Sequence, residues 1–231
     1  MKQCWRWFGP EDPIELRDLN QVGVQGIVTS LHNFAPGEIW DRQSIQHRQS
    51  LLKSEGYTWD VVESLPVSEA IKTQSADMIA HITAYKTSLR ALAAQGIEVI
   101  CYNFMPILDW TRTSLRARQS HGGAAMMFDL VKFAVFDLHI LERRDAASEY
   151  SEVVIAKAKA HFDQMTTDEK VMLQHNITAG LPGANDHWSI TDVQELLHSY
   201  ADITAERLQA NLIDFLSEIT PLAQDLGLRL C

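Results

Sequence analysis

The chain has 231 residues, 46% of them hydrophobic and 22% charged, a composition that excludes general disorder and leaves apolar mass for one sizeable core or two small ones. A formal net charge of −10, with no basic run longer than Arg143–Arg144, excludes a nucleic-acid partner, because phosphate backbones are held by clustered Lys and Arg. The N-terminal MKQCWRWFG has no apolar signal region, no apolar run approaches the roughly 18 residues of a membrane span, and Cys4, Cys101 and Cys231 form no CxxC pair, so a reducing cytoplasm is expected and membranes are not.

In chain order, the first β-type run is Gln3–Phe8, followed by a second at Gly26–Leu31. Asp41–Glu55 reads as a helix closed by Gly56 and leads into a third strand, Thr58–Glu63. Ser75–Gln95 is expected to carry Met78, Ile79, Ile82, Tyr85, Leu89 and Leu92 on one helix face, stops at Gly96 and delivers the fourth strand, Glu98–Phe104. The stretch Val99–Arg112, VICYNFMPILDWTR, then releases Tyr102, Asn103, Asp109, Trp110 and Arg112 in quick succession. Such groups are costly to order unless something binds there, so the stretch reads as the floor of a small-molecule site.

After Phe104 the next strand signal is Leu228, too distant for an ordinary crossover. Helical patterns at Phe128–Arg143 and Ser148–Gln164, a helix start at Thr166–Asp168, a loop over Thr178–Ser189 and a helix at Ser189–Tyr200 fill the gap. Asn176–Ile177–Thr178 reads as a chance sequon. Thr204–Asp225, with Leu208, Leu212, Phe215, Ile219 and Leu222 at helical spacing, ends at Gly227 and leads to a fifth strand, Leu228–Cys231. Strands alternating with helices imply right-handed crossovers and a parallel sheet, closed as a barrel or left open. The expected organisation is four β/α units over residues 1–104, a mainly helical insertion over 105–203, and a helix and fifth strand over 204–231. An insertion after the C-terminal end of a strand lies over the site face, as a lid or a dimer contact, which admits a homo-oligomer. Five strands fall short of the eight that close such a barrel, so the chain is expected to be incomplete.

WRWFGPEDP, GIVTSLHNFAPGEIW, TWDVVESLPVSEAIK, CYNFMPILDWTRTSL and NITAGLPGA, in this order, resemble segments of the mannonate dehydratase family. The resemblance covers the whole chain but only the N-terminal part of the family's length. It implies an α/β fold that is part of a (β/α)8 TIM barrel, related to xylose isomerase-like sugar enzymes. It also implies a hydro-lyase of hexuronate (glucuronate) catabolism that converts the sugar acid D-mannonate to 2-keto-3-deoxy-D-gluconate by removing the C2 proton and expelling the C3 hydroxyl. A divalent cation, Mn²⁺ or Fe²⁺, is the implied Lewis acid. The family's ligands, a Cys, two His and an Asp, are implied to come from later strands, beginning with a His-Pro-Asp-Asp-Pro segment following Cys231, so none is assigned here and Cys231 is not the ligand cysteine. Two other readings remain beside this one: a catalytically inactive fragment or half-barrel completed by a partner chain, and a sugar isomerase or epimerase on the same kind of barrel.

With the resemblance in view, six residues are candidates for substrate binding. His32 and Glu63 end the second and third strands, where such folds place chemistry, although His32 could equally cap a loop and Glu63 start a helix; Asn33 stands where the family often has a second histidine. Asn103 leaves the fourth strand. Asp109 and Arg112 could orient hydroxyls and clamp a sugar-acid carboxylate, or simply form a helix cap with its neighbour. Trp5, Arg6 and Trp7 alternate, so one tryptophan should face the barrel interior and the other the helices, with Trp7 either a sugar platform or a packed core aromatic. His47, His81, His139, His161 and His198 fall in helical segments, and none of the nine histidines forms an HExxH pair.

Overall fold

The computed structural model describes all residues except Asp109 and 181–187. The described elements, in chain order, begin with β1 (Cys4–Arg6), α1 (Leu16–Leu19), β2 (Gly26–Thr29), α2 (Arg42–Ser54), β3 (Thr58–Val62), α3 (Glu69–Thr73), α4 (Met78–Ala93) and β4 (Val99–Ile100). They continue with β5 (Ser114–Arg118), β6 (Ala124–Met127), α5 (Leu130–Val135), α6 (Glu152–Gln164), α7 (Thr167–Thr178), α8 (Ile190–Ser199), α9 (Ala205–Asp225) and β7 (Arg229–Leu230). Two compact units emerge: Met1–Pro106 with Tyr200–Cys231, and residues 107–180 with 188–199.

The first unit is a five-stranded sheet in the order β1-β2-β3-β4-β7, every neighbouring pair parallel. Sequential order, parallel sense and helical crossovers are those of a partial (β/α)8 barrel. Local chemistry sets the crossovers. Asp41 caps α2 by accepting from the Ser44 amide at 2.8 Å, and Gly56, with φ +85°, turns the chain back toward β3. One sheet face, with Ile27, Val62 and Ile100 all at 0% exposure, is buried against Ile45 and Leu52 of α2, Leu89 and Leu92 of α4, and Phe215 and Ile219 of α9. Period-two alternation puts Arg6, Glu63 and Cys101 on the opposite face, which is only partly covered. At the start of β2 that face admits no side chain, because a Cβ on Gly26 would lie 1.8 Å from an Asp60 carboxylate oxygen. Asp60 is held there by Lys2 Nζ at 2.6 Å.

The helix expected over Ser75–Gln95 is α4, with one difference. Ile79 is 74% exposed, since it sits about 100° around the helix from the stripe formed by Met78, Ile82, Tyr85, Leu89 and Leu92. Trp7 is 4% exposed and Trp5 38%, but two residues apart they share one face by period-two alternation, with Arg6 on the other, so the expected placing of the two indoles on opposite faces does not follow.

The second unit contains the expected helices and an element that the sequence does not announce. The two-stranded antiparallel ribbon β5–β6 is joined around Gly122, and β6 (AAMM) is exposed along its whole length, so no alternation of apolar and polar residues marks it. The helix expected over Phe128–Arg143 is α5 followed by a π-helical turn, Phe136–Ile140. That turn buries Asp137 (2% exposed), which accepts from Arg143 Nε at 2.9 Å and Tyr150 Oη at 2.8 Å, so a carboxylate otherwise costly to bury has a cation and a hydroxyl. The unit's core is Ala134, Val135, Phe136, Leu141, Ala158, Leu173, Ile177 and Val193.

Truncating Leu89, at 0% exposure in the first unit's core, should lower the unfolding free energy by about 2–5 kcal/mol in Leu89→Ala. Ile79→Ala should change it by about 0.5 kcal/mol or less. Urea titrations followed by tryptophan fluorescence measure both, and equal losses would contradict the packing of α4.

Candidate active site

Parallel register aligns the C-terminal ends of the five strands along one rim. Pairing continues past the strands themselves: Trp7 N donates to Val28 O at 2.9 Å, Glu63 N to Thr29 O at 2.9 Å, Cys101 N to Val62 O at 2.9 Å and Cys231 N to Ile100 O at 3.0 Å. The rim therefore brings together the segments bearing Trp7, His32, Glu63 and Asn103, four of the six sequence candidates. Ser64 links three of these segments. Its carbonyl accepts from Ser30 Oγ at 2.8 Å, its hydroxyl accepts from Asn103 Nδ2 at 3.2 Å, and the Glu63–Ser64 peptide bond is cis.

Two arginines that sequence reasoning passed over organise the charge. Arg6, on β1, donates from Nη1 to Glu63 Oε1 at 2.8 Å, with both side chains roughly three-quarters buried, and its guanidinium lies 5.1 Å from the centre of the Phe8 ring. Arg48, from the middle of α2, is 7% exposed. Its Nη1 donates to Ser30 O at 2.8 Å and Thr29 Oγ1 at 3.4 Å, and its guanidinium lies 5.4 Å from the Trp7 ring. Among the described residues no carboxylate pairs with it, and burial lowers its pKa to about 10, so it still carries its charge at neutral pH. A signal for Arg48 exists in the sequence: Ile45, Arg48 and Leu52 are spaced to share one helix face, which places a cation on the buried side of α2. Arg6 offers a similar signal as the one charge within an aromatic strand.

His32 follows β2 beside these cations. Burial first, then the positive charges of Arg48 and Arg6, push its pKa down to about 4, so the imidazole is neutral at pH 7 with one ring nitrogen donating and the other accepting. The chain opposite makes room for it. Gly9 has φ +92°, and a Cβ there would lie 3.0 Å from His32 Nδ1 and 3.5 Å from Arg48 Nη1. Trp7 is buried among the core residues, its indole N–H donating to Ile14 O at 3.2 Å, and it serves as the surface over which Arg48 lies.

Two candidates remain. Arg112 belongs to the second unit, is 4% exposed, and donates from Nη2 to Ala179 O at 2.6 Å and Gly180 O at 3.2 Å. Asp109 lies outside the described residues. Among the described residues no group of three His, Cys, Asp or Glu side chains converges closely enough to hold a metal ion.

A profile of the D-mannonate dehydratase family (UxuA) matches residues 1–231. The chain belongs to this family. Over its full length it is 48% identical to mannonate dehydratase 1 of Agrobacterium fabrum and 43% identical to the mannonate dehydratase of Rhizobium meliloti, covering 58% of each. The crystal structure of mannonate dehydratase from Streptococcus suis serotype 2 superimposes with a TM-score of 0.69 at 27% identity, covering 100% of this chain and 52% of that one. The chain thus spans a little over half the length of the family members it matches.

An imidazole whose pKa is lowered from 6.5 to about 4 binds fewer protons in the folded chain than in the unfolded chain between those pH values. Its contribution to stability is therefore complete above about pH 6.5 and is lost as pH falls toward 4. Chemical unfolding across this window should show stability falling with acidification in the wild type and a shallower fall in His32→Gln; identical slopes would contradict a buried neutral His32.

Proposed function

We propose that this chain supplies the N-terminal part of the substrate site of a mannonate dehydratase, which converts D-mannonate to 2-keto-3-deoxy-D-gluconate in glucuronate breakdown. The observation that carries the reading is the rim: a neutral imidazole, a carboxamide and an Arg–Glu pair at the ends of adjacent parallel strands, in a chain whose whole length matches the family.

The residues present support a division of labour. Arg6 and Arg48 make the rim locally positive in a chain of net charge −10, which favours an anionic sugar acid over a neutral sugar. Asn103, fixed through Ser64, presents an amide able to donate to and accept from hydroxyls. Neutral His32 is equipped to accept a proton or to donate a hydrogen bond to a leaving hydroxyl, and Glu63 is paired with Arg6. Trp7 backs Arg48 from within the core. Asp109 and Arg112 remain substrate-binding proposals, for a hydroxyl and for a carboxylate.

A divalent cation such as Mn²⁺ or Fe²⁺ is the family-level proposal for the Lewis acid. The described residues do not fit one, so no step is assigned to a metal held by this chain. A soluble cytoplasmic enzyme is the corresponding proposal for location, in keeping with the finding that no described helix is long and apolar enough to cross a membrane.

A chimera tests the reading. Replacing the matching segment of the Agrobacterium fabrum mannonate dehydratase 1 with this chain should yield an enzyme that forms 2-keto-3-deoxy-D-gluconate from D-mannonate. His32→Ala and Asn103→Ala in the chimera should each lower kcat/KM roughly tenfold or more, which corresponds to about 1.4 kcal/mol of transition-state stabilisation. Unchanged values in both variants would remove the rim from the mechanism. The purified 231-residue chain should show no turnover with D-mannonate and Mn²⁺. Product formation by it alone would contradict the assignment of the metal ligands to other segments.

A further inference from the structure

Strands β4 and β7 end side by side, and their register pairs Val99 with Arg229 and Ile100 with Leu230. The next residue on each strand is a cysteine. Cys101 and Cys231 therefore stand opposite one another at the rim, their sulfurs 3.2 Å apart. Cys231 is exposed and Cys101 half-buried, while Cys4 is an exposed thiol on β1, at the other edge of the sheet. Neighbouring strands hold both backbones, since Cys101 N donates to Val62 O at 2.9 Å, Cys231 N to Ile100 O at 3.0 Å and Tyr102 N to Cys231 O at 2.9 Å. A disulfide bond of about 2.05 Å thus asks for roughly 1 Å of approach, which rotation about the two Cα–Cβ bonds can supply without breaking the ladder.

We infer that Cys101 and Cys231 are a modification site, a vicinal thiol pair that reacts with small disulfides of the glutathione type and closes to a cross-strand disulfide. Cys101, half-buried between its neighbouring strands, suits the second, resolving step. The Cys231 thiolate attacks one sulfur of the oxidant, forming a mixed disulfide and expelling one thiolate. The Cys101 thiol then loses its proton to solvent and attacks Cys231 Sγ, expelling the second. Two protein thiols are oxidised to one disulfide, and one small disulfide is reduced to two thiols. Cys101 suits the second role because burial first, and then the sulfur of Cys231 and the charge of Glu63, raise its pKa, so it contributes little thiolate until a mixed disulfide stands beside it. The closed bond would fasten β7 to β4 beside the Arg6–Glu63 pair, and thiol reductants would open it.

The purified, reduced chain tests this directly. It is incubated with glutathione disulfide, quenched with an alkylating agent and digested without reduction for mass spectrometry. The expected product has the Cys101 and Cys231 peptides joined within one chain, a mass lower by two hydrogen atoms across the joined pair, and full reversal by dithiothreitol. In Cys101→Ser, glutathione should remain on Cys231 as a stable mixed disulfide, and its absence there would overturn the order of attack. Separate glutathione adducts on Cys101 and Cys231, a link between two chains, or both thiols left free while Cys4 carries glutathione would each overturn the pair itself.

Discussion

Parallel pairing of strands in sequential order is the constraint on which the first unit depends. A parallel neighbour can be reached only by crossing back over the sheet, so each strand must be followed by a helix or a longer segment, and a constant hand lays those helices on one face. That face becomes the core, with Ile27, Val62 and Ile100 sealed beneath α2, α4 and α9. The same constraint collects every strand's C-terminal residues along one rim, where the ladder gives out and side chains rather than backbone partners decide the chemistry. Rim and core are two consequences of one topology.

At the rim, burial and charge act together. Arg48 gives up solvent to hold the carbonyl of Ser30 and to lie over Trp7, and its positive charge next to His32 disfavours a second one. Arg6 shares its charge with Glu63. The result is two guanidinium groups and one carboxylate gathered around a neutral imidazole, in a chain of net charge −10. Guanidinium groups so placed can orient an anion beside an imidazole whose two ring nitrogens can donate and accept, which is the combination the proposed reading draws on.

How much of this is legible in the sequence depends on how each signal arises. Strands and long helices announce themselves where one face is buried, as in α4 and α9, and where a glycine must turn the chain, as at Gly56. Helical spacing also locates the limits of the stripe: Ile79 is apolar but lies off it, so only the angle around the helix separates it from Met78 and Ile82. The ribbon β5–β6 is nearly silent because β6, AAMM, does not alternate and leaves the short alternation of SLRAR in β5 without a matching strand, and α3 because five residues hold too few turns to show a period. Among rim residues, His32, Glu63 and Asn103 are readable since each ends an apolar run. Arg48 is half legible: its spacing with Ile45 and Leu52 puts it on the buried side of α2, but its place at the rim comes from how that helix lies on the sheet, a tertiary fact that no local pattern contains. Ser64 is hidden for a related reason, since its importance lies in two hydrogen bonds to other strands.

The central claim is that this rim receives the sugar acid, and its most direct measurement is a residue-resolved NMR titration of the chain with D-mannonate. The account predicts saturable shifts for the His32 ring, the Asn103 side-chain amide and the Arg6 guanidinium, with the indole of Trp40, buried at 0% exposure in the core, unmoved. Shifts confined to the opposite end of the sheet around Lys2 and Asp60, or a spectrum that does not respond to D-mannonate, would contradict it.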